Sequence, residues 1–240
     1  MLPNKISYIL TQADTRNAIN LVFNDLDSFD QRFRQVNMHF FAINLKYKSM
    51  KLVLASSSPF RKALLDKLHL QYETDSPDID ETPLQGESIE IMVKRLSESK
   101  AKALSNQYPD SLIIGSDQSA ALNGNVLHKP GSYEIAFEQL KAASGQCITF
   151  YTGLCLFNSK TGEAETICEP YIVKFRDLSD SEIENYLKRE EPYNCAGSFK
   201  SEALGISLFE SMRGDDPNTL IGLPLIQLCR MLKANGMPVL

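Results

Sequence analysis

Lys51-Leu-Val-Leu-Ala-Ser-Ser-Ser-Pro-Phe-Arg-Lys-Ala-Leu-Leu-Asp-Lys-Leu68 decides the fold. A short apolar run, Leu52 to Ala55, reads as a buried strand, and the segment from Phe60 to Leu68 carries helical periodicity. Ser58 fits an N-cap and Pro59 the first helical position, so the junction predicts a strand feeding directly into a helix. Such a junction exposes unpaired backbone N–H groups and the positive end of a helix dipole. Here three hydroxyls and two cations, Arg61 and Lys62, are added within one turn. The combination suits an anion, although a capped helix with solvated basic residues would read the same way.

Outward from this junction the pattern stays α/β. Helices are predicted over 88–107 and 133–143, with a strand at 112–115 between them. Runs at 148–158 and 166–175 flank the turn Ser159-Lys-Thr-Gly162 and predict an antiparallel hairpin. Ser179-x-x-Glu182 is a capping box opening a helix that stops before Pro192. A last helix is predicted from near Leu223-Pro224 to Asn235-Gly236.

Upstream of Met50 the composition changes. Residues 1–49 hold no glycine and no glutamate, yet five of the twelve phenylalanines, and all 12 glycines lie from Gly86 onward. Six cations against four aspartates make this segment +2, which leaves −7 for the remainder of a chain whose total is −5. The break divides the chain into an N-terminal extension, 1–49, and a main domain, 50–240, with Met50 placed as an initiator would be. The alternative for the extension is a helix around 18–33, where apolar residues recur at loose helical spacing.

The net charge of −5 disfavours a nucleic-acid coat or an anionic-membrane binder, both of which need a broad cationic face. With no signal-peptide pattern and no long apolar run, a cytoplasmic protein is expected, without membrane or nucleic-acid polymer as partner. The five cysteines, Cys147, Cys155, Cys168, Cys195 and Cys229, form no C-x-x-C and read as reduced, mostly buried thiols. P-loop, Rossmann, serine-hydrolase and zincin motifs are missing, and three scattered histidines make no histidine metal site. Chemistry must therefore rest on carboxylates, lysine and arginine, a set suited to phosphate esters with a divalent ion.

Several segments could supply that set. Leu112-Ile-Ile-Gly-Ser-Asp-Gln118 reads as an apolar strand ending in a carboxylate, where α/β sheets border their ligand crevices. Asp117 there is equally a turn residue. The cluster Asp78-Ile-Asp-Glu81 offers hard oxygens for Mg2+ or Mn2+, or is a solvated acidic loop. Lys100 and Lys102 fall in a predicted helix, and Lys129 comes after a turn at Asn123-Gly-Asn125.

Taken together these pieces resemble the Maf family of nucleoside triphosphate pyrophosphatases. The resemblance rests on short motifs in order: Leu54-Ala-Ser-Ser-Ser-Pro-Phe-Arg61, Asp80-Glu-Thr82, Lys100-Ala101, Asp117, Lys129-Pro130, and the late Ala196-Gly-Ser198 and Gly222-Leu-Pro-Leu225. It implies a two-lobed mixed sheet flanked by helices, related to the inosine triphosphatases, with the active site in the central cleft. It also implies hydrolysis of the α–β phosphate bond, a divalent metal cation (Mg2+ or Mn2+) as cofactor, a small nucleotide as substrate and a tendency to form homodimers. Asp117 would activate water and, with Glu81, place the metal. Ser58, Arg61, Lys100 and Lys129 would hold the triphosphate. One departure stands out: His128 occupies a place where the family usually has glycine.

Phe60, Gln118 and Glu202 fall at the positions that separate the family's branches, and this set resembles the branch acting on 7-methyl-GTP. The physics agrees, since a cationic 7-methylguanine ring stacks well on an aromatic face and a carboxylate accepts from both N–H groups of its Watson–Crick edge. Alternatives are the same chemistry on UTP, dTTP or CTP, a nucleotide-binding regulator of septum formation, and an inactive relative.

Overall fold

A computed structural model describes residues 50–240. The helix expected around 18–33 lies outside the described residues. The strand-to-helix junction forms as its sequence predicts. Strand β1 (Lys51–Ala55) buries every residue but the first, and helix α1 (Pro59–Asp66) begins at proline with Ser58 as its cap. The Ser58 hydroxyl accepts from the Arg61 backbone N–H at 3.4 Å.

The remaining elements are β2 (Glu73–Asp75), α2 (Ile89–Ala103), β3 (Ser111–Leu122), β4 (Asn125–Leu127), α3 (Tyr133–Ala143), β5 (Cys147–Asn158), β6 (Glu163–Phe175), α4 (Asp180–Glu190), β7 (Phe209–Arg213), α5 (Asn218–Ile221) and α6 (Leu225–Ala234). Two 3-10 turns, Ala196–Ser198 and Leu204–Leu208, lie between α4 and β7. The seven strands make one mixed sheet in the order β2-β1-β3-β5-β6-β7, with β4 also paired to β3. The capping box opens α4 and the last helix closes at Asn235, as expected.

Three readings need correction. The strand expected at 112–115 runs on to Leu122, because β5 pairs with it antiparallel along its whole length, from Leu112↔Asn158 to Leu122↔Ile148. Asp117 is therefore mid-strand rather than at a strand end. Helix α2 stops at Ala103 instead of 107: Leu104 leaves helical geometry, and Pro109 biases Tyr108 away from the helical region. Of the cysteines only Cys155 is fully buried, Cys147 is exposed, and the other three are half-buried; all five are free.

The length of β3 creates two lobes. Its first half pairs in parallel with β1, ending at Ala55↔Gly115, and its last residues pair with β4 from Ala120 onward. On that side, residues 116–119 have no strand partner among the described residues. Below the gap, Leu52, Leu54, Leu64, Leu65, Ile114, Leu228 and Leu232 form one apolar core. Above it, Leu140, Phe150, Phe175, Leu187 and Phe199 belong to a second. Phe199 is the hub of the second core, edge-on to Phe150, Phe175 and Phe209 at centroid distances of 5.4, 5.5 and 4.9 Å. Burying such a ring contributes roughly 2–3 kcal/mol, and edge-to-face geometry adds to it.

Two glycines let helix α2 press against the sheet. A Cβ at Gly115 would collide with the Ser97 carbonyl oxygen and lie 2.9 Å from the Ala101 nitrogen, and one at Gly153 would collide with the Val93 carbonyl. The obstacles are backbone, so no rotamer change could relieve them. No helix among the described residues is long and apolar enough to cross a membrane.

Candidate active-site cleft

Where β3 passes between the lobes, a cleft of ≈ 760 Å3 opens. All nine residues to which the family resemblance gives a role line it: Ser58, Phe60, Arg61, Glu81, Lys100, Asp117, Gln118, Lys129 and Glu202. Its volume lies within the range of small-molecule sites.

The cleft floor is a buried ion pair. Lys100, on the face of α2 that the two glycines draw against the sheet, donates to Asp117 Oδ1 at 2.6 Å. The same ammonium lies 2.9 Å from Glu81 Oε1. Lys100 and Asp117 are both buried, whereas Glu81 is mostly exposed. Of the acidic cluster, Glu81 alone reaches this point. Asp80 instead turns to Thr82, whose side chain first and whose backbone N–H, at 2.9 Å, second hold its carboxyl below the usual range. Lys102, two residues further along the helix, pairs with exposed Glu98 at 2.6 Å and takes no part.

Arg61 is tethered rather than free. Its Nε donates to the Gly222 carbonyl at 2.9 Å and its Nη1 approaches the Ser56 hydroxyl at 3.4 Å. Burial pulls the guanidinium down from its ordinary value, opposed by the carboxylates of Asp117 and Glu81. A guanidinium stays charged under such a pull. Its remaining N–H groups are left for a ligand.

Sequence reasoning did not single out Ser56 or Gly222 as Arg61's anchors, and Gly222 is 161 residues away in the chain. The Ser56 hydroxyl was visible as one of three clustered serines. Lys200, Glu191, Asn194 and Cys195 also line the wall without having been predicted. Of these, only Lys200 lay inside a segment already marked, Ser198-Phe-Lys-Ser-Glu202. Burial pushes the Cys195 thiol above its ordinary value, so a thiolate nucleophile is disfavoured there.

The residues expected to face a base divide in two. Phe60 is 41% exposed, an aromatic face open to the cleft rather than a core residue. Glu202 is exposed, and among the described residues its carboxylate accepts only from neighbouring Ser201 at 3.3 Å. Gln118 differs. Its side-chain NH2 is shared among the Thr152 hydroxyl at 2.9 Å and the carbonyls of Thr219 at 2.8 Å and Leu220 at 3.2 Å. It braces the wall of the cleft, and only its carbonyl oxygen is left for a ligand.

The two-lobed mixed sheet and a cleft that gathers cations, carboxylates and an aromatic ring define an α/β protein with a charged small-molecule-sized site. Comparison with known proteins narrows this. The family described as Maf-like protein matches residues 51–235, and the chain belongs to the Maf family. A 7-methyl-GTP pyrophosphatase of Nitrosococcus oceani is 56% identical over 189 residues, spanning 79% of this chain and 95% of that protein. Among solved structures, the Staphylococcus aureus Ham1 protein aligns at 19% identity with a TM-score of 0.38, over 53% of this chain and 72% of that one, a likeness too slight to bear on the reading.

Proposed function

We propose that this protein hydrolyses the α–β phosphate bond of 7-methyl-GTP, releasing 7-methyl-GMP and pyrophosphate. The observation that carries the reading is the meeting of a triphosphate-type cation set, Arg61, Lys100 and Lys129, with Phe60 and Glu202 in one cleft. The 56% identical relative that bears this activity as its name supports the same substrate.

Each side chain then has a task. Among the described residues Asp117 accepts from Lys100 through Oδ1 alone, which leaves Oδ2 to take a proton from the attacking water. Lys100 orients that carboxylate. Arg61, held by Gly222 and Ser56, and Lys129, in the exposed loop after β4, offset charge on the phosphates, and the α1 N-terminus at Ser58 adds backbone donors. The base stacks on Phe60, with cation–π attraction of ~0.5–2 kcal/mol for a methylated, cationic ring. Glu202 accepts from its Watson–Crick edge. Uracil offers one ring N–H and no positive charge, so the acid would be less well paired.

Glu81 and Asp117 would hold a divalent cation. Their hard oxygens already converge on one ammonium, so the point favours positive charge. Among the described residues no three His, Cys, Asp or Glu side chains cluster as an all-protein cage. Two carboxylates completed by substrate oxygens and water match Mg2+ or Mn2+ practice. When bound, the cation supplies charge neutralisation at the phosphates. The reading places the enzyme in the cytoplasm, with a homodimer as the state to look for by sedimentation.

A nucleotide panel with pyrophosphate release as readout tests the proposal, with Asp117→Asn alongside. The wild type should cleave 7-methyl-GTP at least tenfold faster than UTP, dTTP or CTP. Asp117→Asn should lose turnover by about 100-fold or more while still binding nucleotide. Faster cleavage of UTP, or an undiminished Asp117→Asn, refutes it.

A further inference from the structure

Behind the cleft wall, on helix α3, one side chain joins two segments that the proposed reaction uses separately. Gln139 Nε2 donates to the carbonyl of His128 at 3.0 Å, and Gln139 Oε1 accepts from the Ser198 hydroxyl at 2.6 Å. The amide orientation is unambiguous, because a backbone carbonyl can only accept and so must face the nitrogen. His128 precedes Lys129, whereas Ser198 opens the segment that carries Lys200 and Glu202 to the same cleft. Nearby, the Gly131 backbone N–H donates to the Tyr193 carbonyl at 2.9 Å, which ties the chain after Lys129 to the stretch leading up to Ser198.

The Ser198 end is a place where position needs enforcement. Ser198 is fully buried and has φ +63°, coming after Gly197 at φ +75°. A serine in the left-handed region is costly unless its surroundings hold it. Its backbone N–H donates to the Cys195 carbonyl at 3.1 Å and its hydroxyl to Gln139, while the next residue, Phe199, is packed among three aromatic rings. The turn is thereby fixed, and Gln139 refers it to the Lys129 loop.

We propose that Gln139 is a positioning residue that sets the spacing between the phosphate-facing Lys129 and the base-facing segment 198–202. Gln139 does not line the cleft and acts through these two segments. The inference rests on the pyrophosphatase reading above for the identity of the two ligand halves. It also gives His128 a role: a side chain at this position is tolerated because the loop is held by its backbone carbonyl.

Three variants separate the two bonds. Gln139→Glu keeps the acceptor for Ser198 but turns an oxygen toward the His128 carbonyl. Ser198→Ala removes only the other bond, and Gln139→Leu removes both. Inhibition by inorganic pyrophosphate reports the phosphate half. The ratio of kcat/KM for 7-methyl-GTP over UTP reports the base half, and thermal unfolding reports stability. Gln139→Glu should raise the pyrophosphate Ki and the 7-methyl-GTP KM about tenfold with kcat within about threefold, as expected for one lost hydrogen bond. Ser198→Ala should leave the pyrophosphate Ki within about twofold and lower the substrate ratio about fivefold. Gln139→Leu should do both. The proposal is overturned if both Gln139 variants leave Ki and ratio within about twofold of wild type, whatever their melting temperature. It is equally overturned if kcat falls while KM and Ki stay put. If the wild type fails to cleave 7-methyl-GTP, the functional reading fails on its own, and calorimetric binding of pyrophosphate to the Gln139 variants still judges the spacing role.

Discussion

Adding one methyl group at Gly115 should disable the cleft from behind. In Gly115→Ala the new Cβ would overlap the Ser97 carbonyl oxygen and lie 2.9 Å from the Ala101 nitrogen and 3.0 Å from the Ala101 Cβ. Carbon and carbonyl oxygen need roughly 3.3 Å. Helix α2 must retreat on the order of 1 Å, since the obstacles are main chain and cannot rotate aside. Overpacking costs 1–3 kcal/mol as a rule, and a backbone obstacle puts this case near about 3. For a domain of this size that lowers Tm by about 6–12 °C. Lys100 sits between Ser97 and Ala101 on the same helix, so the retreat carries its ammonium away from Asp117 Oδ1, now at 2.6 Å. A shift of about 1 Å takes the pair beyond ordinary hydrogen-bond length and can cost about 100-fold in rate. Differential scanning calorimetry and steady-state pyrophosphate release measure the two effects. Lys100→Met supplies the check, because both substitutions act on one contact and their effects on kcat/KM should be strongly sub-additive. A Gly115→Ala protein within about 1 °C and twofold of wild type, or additive effects in the double variant, would refute the reasoning.

Glu202→Gln should reduce the preference for 7-methyl-GTP over UTP about tenfold, read from the ratio of kcat/KM values, because an amide balances no ring charge. The Glu182 carboxyl is held down to about 2, first by the Ser179 backbone N–H, then by the Arg176 guanidinium and the Ser179 hydroxyl. A depressed carboxyl contributes stability above its unfolded value near 4.5 and loses it as pH falls through about 2. The Tm gap between wild type and Glu182→Gln should therefore be constant above about pH 5 and close toward pH 2 in thermal melts. A protein comprising residues 50–240 should match the full chain in kcat/KM, assayed in parallel on 7-methyl-GTP; a drop beyond about threefold would assign residues 1–49 a part in activity.

The strand-to-helix junction was legible because its signals are local. Ser58, Pro59 and the apolar run of β1 each act within one turn of themselves, and Ser179 and Glu182 announce α4 for the same reason. The extent of β3 was not legible. Ser116, Asp117 and Gln118 are poor strand formers taken alone, and the β5 ladder, thirty and more residues away, keeps them extended. The short strands β2, β4 and β7 escaped for a like reason, since their pairing partners rather than their own composition define them.

For the cleft, the residue types were readable from motifs, and their number of cations and carboxylates already pointed to phosphate chemistry. Their state was not. Lys100 and Lys102 stand two apart in the same helix and look alike in sequence, yet one is buried on Asp117 and the other exposed on Glu98. Gln118 looked like a base contact and its NH2 turns out to brace the wall.

By itself the sequence determined the α/β alternation, the capped anion-type junction and the identity of the charged groups, because propensity, capping and charge are properties of a residue and its near neighbours. Tertiary structure decided which of those groups meet. Gly115 and Gly153 set how closely α2 approaches the sheet, and the Gly222 carbonyl sets where Arg61 points. Close approach and long-range hydrogen bonds depend on the packing of segments far apart in the chain, and no local pattern of residues encodes them.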